Sequence, residues 1–175
     1  MEFEFLPSYI SDVVFIKRKY FPDHRGSLTK EYEITPFLNT VQDYFKEEYI
    51  SISKKNVLRG LHFQKKPKSQ GKLISVIKGE IFDVAVDLRE KSPHYLKYVS
   101  KHLSSESNES IWIPPDFAHG FLSLSEESIV LNRCTNEFDP SLEGGIRWND
   151  PLVNIDWPLL DPILSEKDKN WPLLR

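Results

Sequence analysis

The sequence holds one cysteine, Cys134, among 175 residues. No intrachain disulfide can form, and a reducing, cytoplasmic compartment is expected. No run approaches the roughly 18 consecutive apolar residues that span a bilayer as a helix, so no membrane partner is expected. The opening Met-Glu-Phe-Glu lacks the cationic start and apolar stretch of a secretory signal. Positive charge is not in excess either: the net charge is -3, which gives no basic field for nucleic acid. A glycine-rich phosphate loop, a Gly-x-Ser-x-Gly elbow, and the His-x-His or His-x-x-x-His spacing of clustered metal ligands are all missing. No metal and no cofactor is therefore expected. Neither an internal repeat nor a low-complexity linker divides the chain, and its length reads as one domain over 1–175.

What is present is a series of short runs of strand composition at 13–16, 47–53, 72–78, 81–88, 99–103 and 128–134, separated by turn residues. Helix signals are sparse. Thr35-Pro36 reads as the cap and first turn of a short helix, and Ser165-x-x-Asp168 as the cap of another near the end. An extended piece is expected over 155–158. Many short strands with little helix point to an all-β sandwich or jelly-roll barrel with a few short helices.

The stretch Leu58-Arg-Gly-Leu-His-Phe-Gln64 stands out, because it sets His62 in a strand with Arg59 three residues before it and Lys72 ten after. Flanking cations suit an anionic substrate and a developing oxyanion, and a neutral histidine backed by a carboxylate can remove a proton. In the run 81–88, Asp83 and Asp87 share one face. Either that face lines a cavity, or the strand is an edge with a wet side. Arg25 lies in the turn Phe21-Pro-Asp-His-Arg-Gly26, where a solvated arginine is the plain reading. Cys134, in an apolar strand, reads as core filling.

These residues fall in longer motifs. Arg59-Gly-Leu-His-Phe-Gln64, Gln70-Gly-Lys-Leu73, Gly79-Glu-Ile-Phe-Asp-Val-Ala-Val-Asp87, Trp112-Ile-Pro114, Phe117-Ala-His-Gly-Phe121 and Trp148-Asn-Asp150 resemble the dTDP-4-dehydrorhamnose 3,5-epimerase family, in order from about Phe21 to Leu174. The resemblance implies a cupin jelly roll that works without a metal, usually as a homodimer exchanging N-terminal strands. It implies a nucleotide-diphosphate-linked 4-keto sugar epimerised through an enolate, in sugar biosynthesis for surface polysaccharide. Carried over residue by residue, His62 is the base and Asp168 its carboxylate partner, and Lys72 stabilises the enolate. Arg25 and Arg59 hold the diphosphate. His119 is a second active-site histidine partnered by Asp83, and Phe138 stands beside the substrate.

The chain departs from the family pattern in three places. The tyrosine that serves as acid on the opposite sugar face, in Tyr-Lys-x-Thr, is replaced in Asn132-Arg-Cys-Thr135. The nucleotide-binding Gln-x-Asn-x-Ser reads Glu47-x-Tyr49-x-Ser51. Arg-Gly-x-Phe-x-Glu reads Arg25-Gly-Ser-Leu-Thr-Lys30. Asn132 has no acidic proton near neutral pH, which suggests inversion at C3 alone with water delivering the new proton, inversion at both C3 and C5 standing as the alternative. Glu47 could accept from the N1–H and N2–H2 edge of guanine, so a GDP-linked substrate stands as the alternative to dTDP. Two rival activities are a sugar 3,4-ketoisomerase on the same fold and a non-catalytic sugar-nucleotide-binding barrel.

Overall fold

The computed structural model describes residues 2–174. The alternating runs become strands β1 (Phe3–Pro7), β2 (Val14–Arg18), β3 (Tyr20–Asp23), β4 (Gly26–Thr29), β5 (Glu47–Lys54), β6 (Leu58–Gln64), β7 (Lys72–Lys78), β8 (Glu80–Asp87), β9 (Tyr98–Ser104), β10 (Glu109–Ile113), β11 (Phe117–Ser123), β12 (Glu127–Cys134) and β13 (Glu143–Gly145). Two helices are described, α1 (Ile34–Val41) and α2 (Glu166–Lys169). A six-stranded sheet in the order β1-β2-β10-β7-β12-β5 faces a five-stranded sheet, β13-β6-β11-β8-β9, and β3-β4 is a separate hairpin. The expected jelly-roll sandwich is what forms.

Period-2 alternation sorts the side chains onto faces. Ile74, Val76, Ile111, Ile113 and Val130 of the larger sheet meet Ile81, Ala85, Val99, Leu103, Phe117 and Phe121 of the smaller one in the central core. Each fully buried Val, Leu, Ile or Phe side chain among them contributes about 1.5–3 kcal/mol by leaving water. The outer face of the larger sheet is covered by α1, through Phe37 and Val41 against Leu73 and Trp112. The outer face of the smaller one is covered by the chain beyond β13, through Ile146, Val153 and Trp157.

The structure corrects several details of the reading from sequence. Helix α1 is capped at Glu33 rather than Thr35, with no side-chain cap bond. Pro36 is still harmless in the first turn, where N–H groups have no helical partner. The piece 155–158 forms no strand; instead Trp157 is buried and donates Nε1–H to the Trp148 carbonyl at 2.9 Å. The alternation of β5 holds, but its polar residues point inward: Ser53 is buried while Ile50 and Ile52 are each 59% exposed. Finally, β8 is flanked on both sides, by β11 and β9, and Asp83 and Asp87 are fully buried, so it is no wet edge.

Candidate active site

The aliphatic filling between the sheets gives way to polar residues at the start of β7. On the larger sheet the register places Lys72, Cys134 and Glu47 in one row across β7, β12 and β5, and Ile74, Asn132 and Tyr49 in the next. On the smaller sheet His62 of β6 lies directly opposite His119 of β11. That pairing depends on close strand approach. A Cβ on Gly60 would come within 2.6 Å of the Gly120 Cα, and Gly60 has φ +117°, so only glycine fits there.

Two adjoining cavities open between these rows. One, of about 410 Å³, is lined by Tyr49, Ser51, Arg59, His62, Lys72, His119, Asn132 and Asp168 among others. The second, of about 290 Å³, is lined by Glu47, Tyr49, His62, Phe63, Gln64, Gln70, Lys72, Phe138 and Glu143. Tyr49, His62 and Lys72 are common to both.

The His62–Asp168 pair is made by the C-terminal helix. Ser165 caps α2 by accepting the Asp168 N–H at 3.1 Å, which turns the Asp168 carboxylate onto His62, with Nε2 and Oδ1 2.5 Å apart. Burial raises the Asp168 pKa, but this is outweighed by the His62 hydrogen bond and charge, the Ser165 hydroxyl and the Gly60 N–H, so the carboxyl lies below its usual range. An ionised Asp168 must accept, so it fixes the Nε2–H tautomer and leaves the Nδ1 lone pair of His62 as the available base. Trp171 completes the support. It donates Nε1–H to Asp168 Oδ1 at 3.3 Å, and its ring stands edge-on to His62 with centroids 5.9 Å apart. Trp171 was missed from the sequence, although it lies only three residues after Asp168, just beyond the C-cap of α2 at Asn170.

His119 makes a second dyad, Nε2 to Asp83 Oδ2 at 2.7 Å, fully inside the sandwich. The other Asp83 oxygen is buried without a partner. Across the cleft, Lys72 is almost completely buried. Burial pulls its ammonium pKa down, against the upward pull of Cys134, Asp83, Glu143 and Glu47. Burial also pushes the Cys134 thiol up to about 11, so it stays protonated and fits core filling rather than nucleophilic chemistry. Arg59 donates Nε–H to Ser53 Oγ and an Nη–H to the Ile52 carbonyl, both at 2.9 Å; its remaining donors are free for an anion.

At the far end, Glu47 Oε2 accepts the Phe138 N–H at 2.5 Å. Gln64 holds this wall by donating to the Lys68 and Glu137 carbonyls and accepting the Asp139 N–H at 2.8 Å. No local pattern marks this role for Gln64, because two of its three partners, Glu137 and Asp139, lie far along the chain. Asn132 is buried, and its amide donates back to the Val130 carbonyl at 3.2 Å. Arg25 is not brought to the cleft of its own chain. It stands on the β3-β4 hairpin, its side chain 78% exposed and paired with Asp23 at 2.6 Å. Among the described residues no three His, Cys, Asp or Glu side chains gather closely enough to hold a metal ion.

Known proteins match almost the whole length of this chain in sequence and fold. The family model described as dTDP-4-dehydrorhamnose 3,5-epimerase matches residues 7–175. The dTDP-4-dehydrorhamnose 3,5-epimerase of Methanothermobacter thermautotrophicus is 44% identical over 99% of this chain and 96% of its own. A solved epimerase from Legionella pneumophila, in complex with dTDP-4-keto-L-rhamnose, superposes with a TM-score of 0.94 at 38% identity, covering 98% of this chain and 92% of that one. ChmJ, a 3'-monoepimerase from Streptomyces bikiniensis solved with dTDP-quinovose, superposes with a TM-score of 0.90 at 25% identity, covering 96% and 86%.

Proposed function

The chain belongs to the dTDP-4-dehydrorhamnose 3,5-epimerase family, and from that premise we propose how its cleft works on a nucleotide-linked 4-keto sugar. The protein is an isomerase, an epimerase of such sugars. The observation that carries the mechanism is the His62–Asp168 dyad on one sheet facing buried Lys72 on the other. A 4-keto group acidifies the neighbouring C–H bonds. His62 Nδ1 takes the C3 proton, the C–H electrons form a C=C bond, and the carbonyl oxygen becomes an enolate beside the Lys72 ammonium. A cation in a water-poor site favours that developing charge far more than bulk water does.

Binding of the nucleotide end is assigned to the part of the second cavity away from His62, with Phe138 offering ring surface and Glu47 a carboxylate oxygen. The ligands named for the solved relatives are dTDP-linked, which favours dTDP over GDP here. Arg59 holds the diphosphate. Arg25 stands away from its own cleft, so its share of that role is assigned to a neighbouring copy in a homodimer. The exposed Ile50 and Ile52 on the open edge strand β5 support a dimer, since such an edge is normally covered. A lone, buried free thiol suits a cytoplasmic setting.

The test is incubation with dTDP- and GDP-linked 4-keto-6-deoxy sugars, with products read by NMR. The expected result is inversion at C3 with the ketone still at C4, and tighter binding of the dTDP compound. A ketone moved to C3 would mean a ketoisomerase, and preferential binding of GDP would overturn the nucleotide assignment.

A further inference from the structure

Removing a proton from one face of a carbon inverts it only if a proton returns to the other face. The removing side of this cleft is complete, while the returning side has no evident donor at Asn132, whose amide is turned back to its own strand. His119 cannot serve. It is the strand neighbour of His62 on the same sheet, and approaches from the same side. The serine hydroxyls of the cleft are weaker acids than a phenol.

Resting on the epimerase reading above, we infer that Tyr49 is the acid that returns the proton, from the face opposite His62. Three observations lead there. First, Tyr49, His62 and Lys72 are the residues shared by both cavities, so base, enolate-stabilising cation and phenol surround one space. Second, Tyr49 is the direct cross-strand partner of Asn132 on β5 and β12. Such partners have Cβ atoms roughly 4.5–5.5 Å apart on the same face, and a phenol is long enough to cover that offset. The chain thus departs from the family pattern at two positions that form one cross-strand pair: the tyrosine is absent from β12 and present on β5. Third, among the described residues Tyr49 is the one phenol lining either cavity. Desolvation of the hydroxyl at the cleft wall, then the proximity of Cys134 and Glu47, holds its proton more firmly than usual, against a smaller opposing pull from Arg59, although 43% of the residue's surface stays exposed. It therefore enters the reaction protonated.

The step balances without a co-reactant. As the enolate collapses, its C=C electrons take the Tyr49 proton at the carbon His62 deprotonated, and the ketone re-forms. The phenolate regains a proton from water and the imidazolium loses one to water, so the net change is configuration alone.

The test uses the full-length protein in D2O with a dTDP-4-keto-6-deoxy sugar, following deuterium at C3 and the configuration of the product. Tyr49→Phe is expected to keep solvent exchange, because His62 can return a deuteron to its own face, while net inversion falls by about 10²-fold or more, the usual worth of a positioned acid. The exchanged variant Tyr49→Asn/Asn132→Tyr is expected to invert faster than Tyr49→Asn alone. The inference is overturned if Tyr49→Phe inverts at the wild-type rate, or if exchange and inversion fall in equal proportion. A wild-type protein that shows no exchange at all would instead overturn the epimerase reading.

Discussion

At the scale of single residues, the site is a matter of which groups are paired and which are left free. Asp168 commits one imidazole nitrogen of His62, so the other is free to act. Asp168→Asn replaces an obligatory acceptor with a group that can also donate, which permits the wrong histidine tautomer; kcat is expected to fall by about 10²–10⁴ with little change in KM. The same residue predicts an acid limb of stability. Its pKa is lower folded than the ordinary carboxylate value, so its stabilisation is fully present above that ordinary value, about 4, and is lost as pH falls through the lower folded one. Unfolding followed by circular dichroism should therefore steepen in acid for the wild type more than for Asp168→Asn. Equal slopes would show that Asp168 is not held in its ionised form.

At the scale of elements, β6 and β11 must approach closely enough to set His62 against His119. Gly60→Ala would place a methyl 2.6 Å from the Gly120 Cα and 2.7 Å from the His119 carbonyl oxygen, at a φ side chains avoid. It should cost ~2–4 kcal/mol and lower the thermal midpoint; an unchanged midpoint would mean the strands separate at no cost. This scale also shows what the sequence could and could not reveal. Strands such as β5, β7 and β12 were legible because alternation and β-branched residues act locally. The Ser165 cap of α2 was legible for the same reason, since capping needs four consecutive residues. Glu33 as the start of α1 was not, because it forms no side-chain cap bond that a pattern could flag. Nor was the inward face of β5: its polar residues point in only because a polar cleft awaits them, a tertiary fact that outweighs the rule that apolar residues face the core. For the site, His62, Lys72 and Asp168 could be named from motifs. The pairing of Tyr49 with Asn132 depends on strand register, which no single stretch encodes.

At the scale of the whole molecule, the proposed mechanism draws on both sheets: the smaller carries His62, assigned as the base, and the larger carries Lys72, assigned to the enolate. Arg25 adds a third party, because it lies outside the cleft of its own chain. If two copies share sites, mixing inactive His62→Ala with inactive Arg25→Ala subunits should regain activity, since one site in each mixed dimer then carries neither defect. No regain after subunit exchange would remove Arg25 from the site. The central claim is that His62 starts the reaction. It is tested most directly by the rate at which solvent deuterium enters C3 of a dTDP-4-keto-6-deoxy sugar, compared between wild type and His62→Ala at equal substrate saturation. We predict rapid entry with the wild type and a rate indistinguishable from the uncatalysed one with His62→Ala; deuterium entering at a similar rate with both would contradict the account.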